Sequence, residues 1–286
     1  MSTLCLLISI TTFATGSTTE MVDPQYLYAE QLFESGDYQA ARLAYKRLLF
    51  YHPDTELRDI ADYQIARTYY YQNQIVHAAA LFREFSAVHP NSPLRFRSQL
   101  MLGQLHFDAG KYSLARTTLF ELQHTSQDPE VVTTAHYLRG WCYIYTTDWN
   151  KAISELRQVD ASQTGALHGE NAYKLADTLL AETPLPSKSP QLAGWLSTVV
   201  PGSGQLYVGK VKEGILAAAL NGVCIYLIAD AIRDRRYVDS AGLFCVGWQF
   251  YWGNRTNARQ FAAEYNKHRE RELIEMLKHQ ANSVLP

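Results

Sequence analysis

The side chains best suited to bond-making chemistry are spread thinly along this chain of 286 residues. Its nine histidines fall at no metal-ligand spacing, and Cys5, Cys142, Cys224 and Cys245 form no CxxC pair. Four separate cysteines of this kind read as isolated buried thiols. The sequence has no nucleophile elbow, phosphate-cradling glycine loop, dinucleotide fingerprint or HExxH. These residues therefore predict no catalytic group, no metal and no cofactor. A net charge of −2 argues against nucleic acid, whose phosphates need a dense excess of Lys and Arg. What remains is recognition chemistry: 19 Tyr, 11 Phe and 5 Trp offer large contact faces at low entropic cost. Two polar residues inside apolar runs, Asn221 and Asp230, complete the candidates.

Most of the aromatics belong to a repeat. Ala29, Ala66, Gly103 and Gly140 stand 37 positions apart, as do Ala41, Ala78, Ala115 and Ala152, and Tyr45, Phe82, Leu119 and Leu156. A sustained period of this size predicts stacked supersecondary units. Within each copy the apolar spacing is helical on both sides of a short turn. The turns are Gly36-Asp37, Asn73-Gln74, Gly110-Lys111 and Thr147-Asp148, residue types that stop a helix in left-handed or turn geometry. Residues 167–182 predict one more helix, placed to cap the stack.

The small-x-x-aromatic, Ala-x-x-x-aromatic and terminal Pro pattern resembles the tetratricopeptide repeat. It is carried by Ala29, Leu32, Ala41, Tyr45 and Pro53, and again by Ala66, Tyr69, Ala78, Phe82 and Pro90. Copy three departs with His106 and a late Pro129, and copy four lacks the terminal Pro. The family period is about 34, and both helices keep standard offsets, so three extra residues lie between copies. His89-Pro90-Asn91-Ser92-Pro93 marks such a junction and is similar to the longer repeats of bacterial envelope proteins. The resemblance implies a groove lined by Tyr26, Glu30, Phe33, Tyr63, Arg67, Tyr70, Tyr71, Leu100, Gln104, Phe107, Tyr137, Trp141 and Tyr145. It also implies a protein or peptide partner, or a peptidoglycan-associated one.

The ends read differently. Leu4 to Phe13, followed by small residues, predicts an export signal over 1–16. The array is assigned to 22–182 and a Pro-rich linker to 183–190, where prolines exclude helix. A membrane helical hairpin is assigned to 191–254, with spans at 214–232 and 240–252, and an amphipathic C-terminal helix to 255–286. Pro201, Gly202, Gly204, Gln205, Tyr207 and Gly209, with Asn254, resemble the entry motif of small two-span bacterial membrane domains. A structural turn is the favoured role for that motif.

The fold expected is all-α: a tetratricopeptide-like helical-hairpin solenoid, then a transmembrane hairpin, then the C-terminal helix. The function expected is a non-enzymatic scaffold anchored in the bacterial inner membrane, its array periplasmic. The alternative is a small oligomeric membrane unit for transport or membrane-protein biogenesis, built on Asn221 and Asp230, with a homo-oligomer allowed for.

Overall fold

The computed structural model describes residues 23–160 and 166–282, and the expected export signal lies outside them. The described residues form thirteen helices and no strand. They divide into two units between Leu180 and Ala181.

In the first unit four helix pairs follow the period: α1 (Pro24–Glu34) with α2 (Tyr38–Tyr51), α3 (Arg58–Tyr71) with α4 (Ile75–Val88), α5 (Arg95–Asp108) with α6 (Tyr112–Thr125), and α7 (Pro129–Tyr145) with α8 (Trp149–Leu156). Each first helix ends on a left-handed residue at the same register position: Gly36, Asn73, Gly110 and Thr147. The same pair of backbone bonds closes every turn, as in Gly36 N to Phe33 O at 3.1 Å and Asp37 N to Leu32 O at 3.0 Å. This is the arrangement that satisfies the last carbonyls of a helix.

The two helices of a copy meet through one apposition. Ala29, Ala66, Gly103 and Gly140 lie on the first helix, and the large residue sixteen positions on, Tyr45, Phe82, Leu119 or Leu156, is fully buried on the second. A Cβ on Gly103 would stand 2.6 Å from Leu119 Cδ2, and one on Gly140 would stand 2.8 Å from Leu156 Cδ2. A flat ring leaves room for an alanine methyl, whereas a branched leucine fills that room and requires glycine. The sequence pairs them accordingly, Ala with Tyr or Phe and Gly with Leu. A further series of the same step, Leu48, Phe85, Leu122 and Val159, is buried beneath.

The extra residues take two forms. His52–Leu57 and His89–Leu94 are non-helical junctions that repeat one another's bonds: Arg58 to Pro53 O, and Arg95 to Pro90 O. At the third junction they become a helical turn instead, so α7 has 17 residues where α3 and α5 have 14. The late Pro129 explains this, because it occupies the first turn of α7 while Asp128 caps Glu130 N at 3.0 Å.

The register reaches a fifth time. In α9 (Ala166–Glu182) the residues one step beyond Ala135, Leu138 and Cys142 are Ala172, Leu175 and Leu179, all fully buried. The small position of this copy is Asp177, whose side chain is 77 % exposed. With no second helix to receive it, that position faces solvent, which is what a terminal cap needs.

Copy four also carries buried charge. Where copy two has Ile65 and Leu81, it has Arg139 and Glu155, paired at 3.1 Å. His136 Nδ1 lies 2.9 Å from the same carboxylate, and Gln123 donates to it. Burial pushes the Glu155 carboxyl up, but the bond from His136, the charge of Arg139 and the Gln123 bond outweigh it and hold the group below the ordinary range.

In the second unit α10 (Pro190–Val199) and α11 (Ser203–Val208) precede α12 (Val211–Arg233) and α13 (Tyr237–Asn282). Two expectations are corrected. Pro190 does not belong to a linker: it is the first residue of α10, capped by Ser189, whose Oγ accepts from Leu192 N at 3.2 Å. The second span and the C-terminal helix are one 46-residue helix, about 69 Å long, which runs through Gly253 and Asn254 without a break. The thiols are corrected too: Cys142 is buried, with burial pushing its pKa up to about 12, while Cys224 is half-buried and Cys245 exposed.

Two outcomes are expected. Gly103→Ala lowers the thermal midpoint, since overpacking of about 1–3 kcal/mol exceeds the gain in helix propensity of about 1 kcal/mol. Combining it with Leu119→Phe recovers about 1 kcal/mol over the sum of the singles in a double-mutant cycle. For Glu155 the folded pKa is depressed, so its contribution is complete above the unfolded value of about 4.3 and is lost as pH falls through the lower folded value. Circular-dichroism melts between pH 3 and 7 should show this loss, and Glu155→Gln should flatten it while lowering the midpoint at neutral pH.

Candidate partner-binding surface

The side chains expected in the groove come from the first helices, and their exposure divides them. Tyr63, Leu100, Gln104, Phe107 and Tyr137 are buried, and Trp141 is 1 % exposed. Trp141 therefore belongs to the core and cannot offer a face to a partner, and its expected place in the groove is corrected. Tyr26, Glu30, Phe33, Arg67, Tyr70, Tyr71 and Tyr145 remain half-exposed.

Three of these, Phe33, Tyr71 and Tyr145, are held in two near-copies of one aromatic cluster. Phe33, Tyr38 and Tyr71 meet with ring centroids 5.2 to 5.5 Å apart, Tyr38 stacking on Tyr71 at 15°. Two repeats on, Phe107, Tyr112 and Tyr145 meet at 5.0 to 5.7 Å, with Tyr112 on Tyr145 at 5°. Each stack ties a copy to the next through the tyrosine that follows its turn, Tyr38 or Tyr112. Between them the register places Tyr70, Ile75 and Asp108. No stack can form there, and Tyr70 donates to Asp108 Oδ2 at 3.1 Å instead.

Polar groups gather at this break. Gln104 donates to Asp108 Oδ1 at 2.8 Å. Burial pushes the Asp108 carboxyl up, and the bonds from Gln104 and Tyr70 only partly oppose it. Arg67 lies over the Phe33 ring at 4.6 Å and donates to Gln64, which donates to Glu30. Tyr45 donates to the same Glu30 oxygen, and burial together with that carboxylate raises its pKa. Arg97 pairs with Glu130 at 3.0 Å.

Among these groups is a notch of about 20 Å³, bounded by Tyr63, Arg67, Tyr70, Arg97 and Gln104. That is room for one water, far below a metabolite pocket of about 300 Å³ or more. The surface is therefore suited to a side chain or backbone laid across it. Among the described residues no group of three or more His, Cys, Asp and Glu could hold a metal. The two-repeat recurrence of the clusters was missed from sequence, although Phe33, Tyr38 and Tyr71 shifted by 74 give Phe107, Tyr112 and Tyr145.

The membrane-motif residues form a separate structural knot. Gly202 takes a left-handed conformation, and a Cβ on it would meet Gly214 O at 2.1 Å. A Cβ on Gly204 would meet Ala193 O at 2.0 Å. Gln205, 2 % exposed, accepts from Ser197 at 2.9 Å and donates to Asn254. Ser189 N donates to Tyr207, and Gly209 caps α11. Pro201 opens the tight turn, and Asn221 bonds its own helix at Ala217 O. Asp230 pairs with Arg233 at 2.8 Å and Arg236 at 3.2 Å.

A tetratricopeptide repeat model matches residues 63–129, spanning most of copies two and three. A eukaryotic translation initiation factor 3 subunit from Yarrowia lipolytica is 37 % identical over 54 residues, 19 % of this chain and only 13 % of that protein's length. Two crystal structures of a Podosopora anserina kinesin light chain with nearly identical TPR-like repeats are 17 % and 18 % identical. Each covers 56 % of this chain and 86 % of its own, at TM-scores of 0.45 and 0.44. The apo form of RapI is 13 % identical over 84 % of this chain and 98 % of its own, at a TM-score of 0.43. Residues 63–129 are thus similar to the tetratricopeptide repeat, and the helix pairs of the first unit follow one another as a tetratricopeptide-like helical-hairpin solenoid.

Proposed function

We propose that this protein is a membrane-anchored scaffold whose array holds an extended segment of a partner protein at the break between copies two and three. The observation that carries the reading is the interrupted stack. Both flanking clusters are closed by ring-on-ring contact, while Tyr70, Asp108 and Arg67 keep polar groups at the surface between them. Half-exposed aromatics beside fixed hydrogen-bonding groups give area and register together.

Anchoring is supported by α12. Its most apolar 18-residue window has a mean hydropathy of 2.0 with 11 % of it buried, unlike the core helix of a packed domain. At about 35 Å it is long enough for a hydrocarbon core. Ile215, Val223 and Tyr226 on α12, and Phe244, Trp248 and Trp252 on α13, are each more than half exposed. On this reading α12 and the first part of α13 cross the bilayer as a hairpin, with charged Arg233, Arg235 and Arg236 at the turn. The longer repeat, similar to those of bacterial envelope proteins, supports an exported array, and with the apolar hairpin gives a bacterial inner membrane with the array periplasmic on this reading. The transport alternative loses support, since Asp230 is neutralised within the turn.

Two outcomes are expected. A photo-crosslinking residue at position 71 captures a partner in cells, and Arg67→Ala with Tyr70→Ala reduces that adduct about tenfold or more while helicity is unchanged. An undiminished adduct would sink the surface assignment. In a variant whose Cys5, Cys142 and Cys224 are serine, exposed Cys245 resists a charged maleimide in intact membranes and reacts after denaturation. Labelling in intact membranes would place that face outside the bilayer.

A further inference from the structure

Between α11, α12 and α13 the second unit holds a cleft of about 300 Å³, within the size range of ligand pockets. Its floor is amide: Gln205 is 2 % exposed, and Asn221 and Asn254 are 6 % exposed. Its rim carries Glu213, Gln249 and Asn257, all exposed. Leu216, Leu220 and Phe250 form apolar walls that are 43 to 60 % exposed and continue into the outer faces of α12 and α13.

One floor atom is unsatisfied. Asn254 accepts from Gln205 through both its side-chain oxygen and its backbone carbonyl, yet its buried Nδ2 has no hydrogen-bond partner. A buried amide donor is nearly always paired, so this one asks for an acceptor supplied from the cleft. The charge of the lining narrows the class. It holds one carboxylate, Glu213, and no Lys or Arg, which disfavours a headgroup of net negative charge and suits an amine beside a hydrogen-bond acceptor. The apolar walls suit chains leaving the cleft along the helices.

We propose that the cleft seats a single aminophospholipid of the phosphatidylethanolamine type, its ammonium at Glu213, a phosphate or ester oxygen at Asn254 Nδ2, and its chains against Leu216, Leu220 and Phe250. This rests on the membrane reading of α12 and α13. The position fits a headgroup, because the lining residues of α12 come from its first half, next to the polar knot of Ser197, Gln205 and Asn254.

The test uses the full chain reconstituted in phosphatidylcholine vesicles containing equal phosphatidylethanolamine and phosphatidylglycerol, repurified in mild detergent, with bound lipid counted by native mass spectrometry. The expected result is one retained phosphatidylethanolamine, preferred over both other lipids by about tenfold or more, the scale of one charge-assisted hydrogen bond. Glu213→Gln should bring retention to parity with phosphatidylcholine, and Leu216→Trp, an exposed position, should displace the lipid. Equal retention of the three lipids, a preference unchanged in both variants, or a second copy of the chain in place of lipid overturns the site. So does a chain that resists alkaline carbonate extraction but retains no lipid. A chain stripped from membranes by carbonate overturns the anchoring reading itself, and the site with it.

Discussion

Within each copy of the array, a small residue on one helix must admit a large residue from the next, sixteen positions on. Everything else in the first unit follows from meeting that condition at a fixed period. The apposition sets how closely the paired helices approach, and the left-handed residue after each first helix returns the chain so that it is met. The covariation of Ala with an aromatic and Gly with Leu shows that volume at the contact is fixed, while the residues sharing it are not.

Departures from the period are where this molecule gains individuality. Arg139 and Glu155 replace an apolar pair in copy four and are tolerable there because His136 and Gln123 complete the bonds. Tyr70, Ile75 and Asp108 interrupt the aromatic stacking, leaving a polar surface between two rigid clusters. A stacked cluster at every junction would have been regular and closed. The interruption is what gives a partner something to recognise.

The helix pairs, their turns and the capping helix were legible in the sequence because they rest on short-range rules: helical spacing, residues tolerant of left-handed geometry, and a constant step. The candidate surface was legible only in part. Family offsets locate which residues sit on the first helices, but not how far neighbouring helices close over them, and so Trp141 and Tyr137 proved to be core. The unbroken α13 was misread for a related reason: an apolar stretch and a charged stretch differ in solvent preference, yet a change of solvent is no helix stop. Nothing in the spacing announced the knot that joins Gln205 to Asn254, because it spans 49 positions and depends on three helices meeting.

Asp177 bears on how such an array can change length. A 37-residue block duplicated inside the array would bring its own small residue and its own large one, and would stack without adjustment. A helix appended after Glu182 would have to set its large residue against a carboxylate, drawing Asp177 and its partner Arg157, 3.9 Å away, out of water. The array can therefore lengthen from within but not from this end, and one acidic side chain fixes its copy number there.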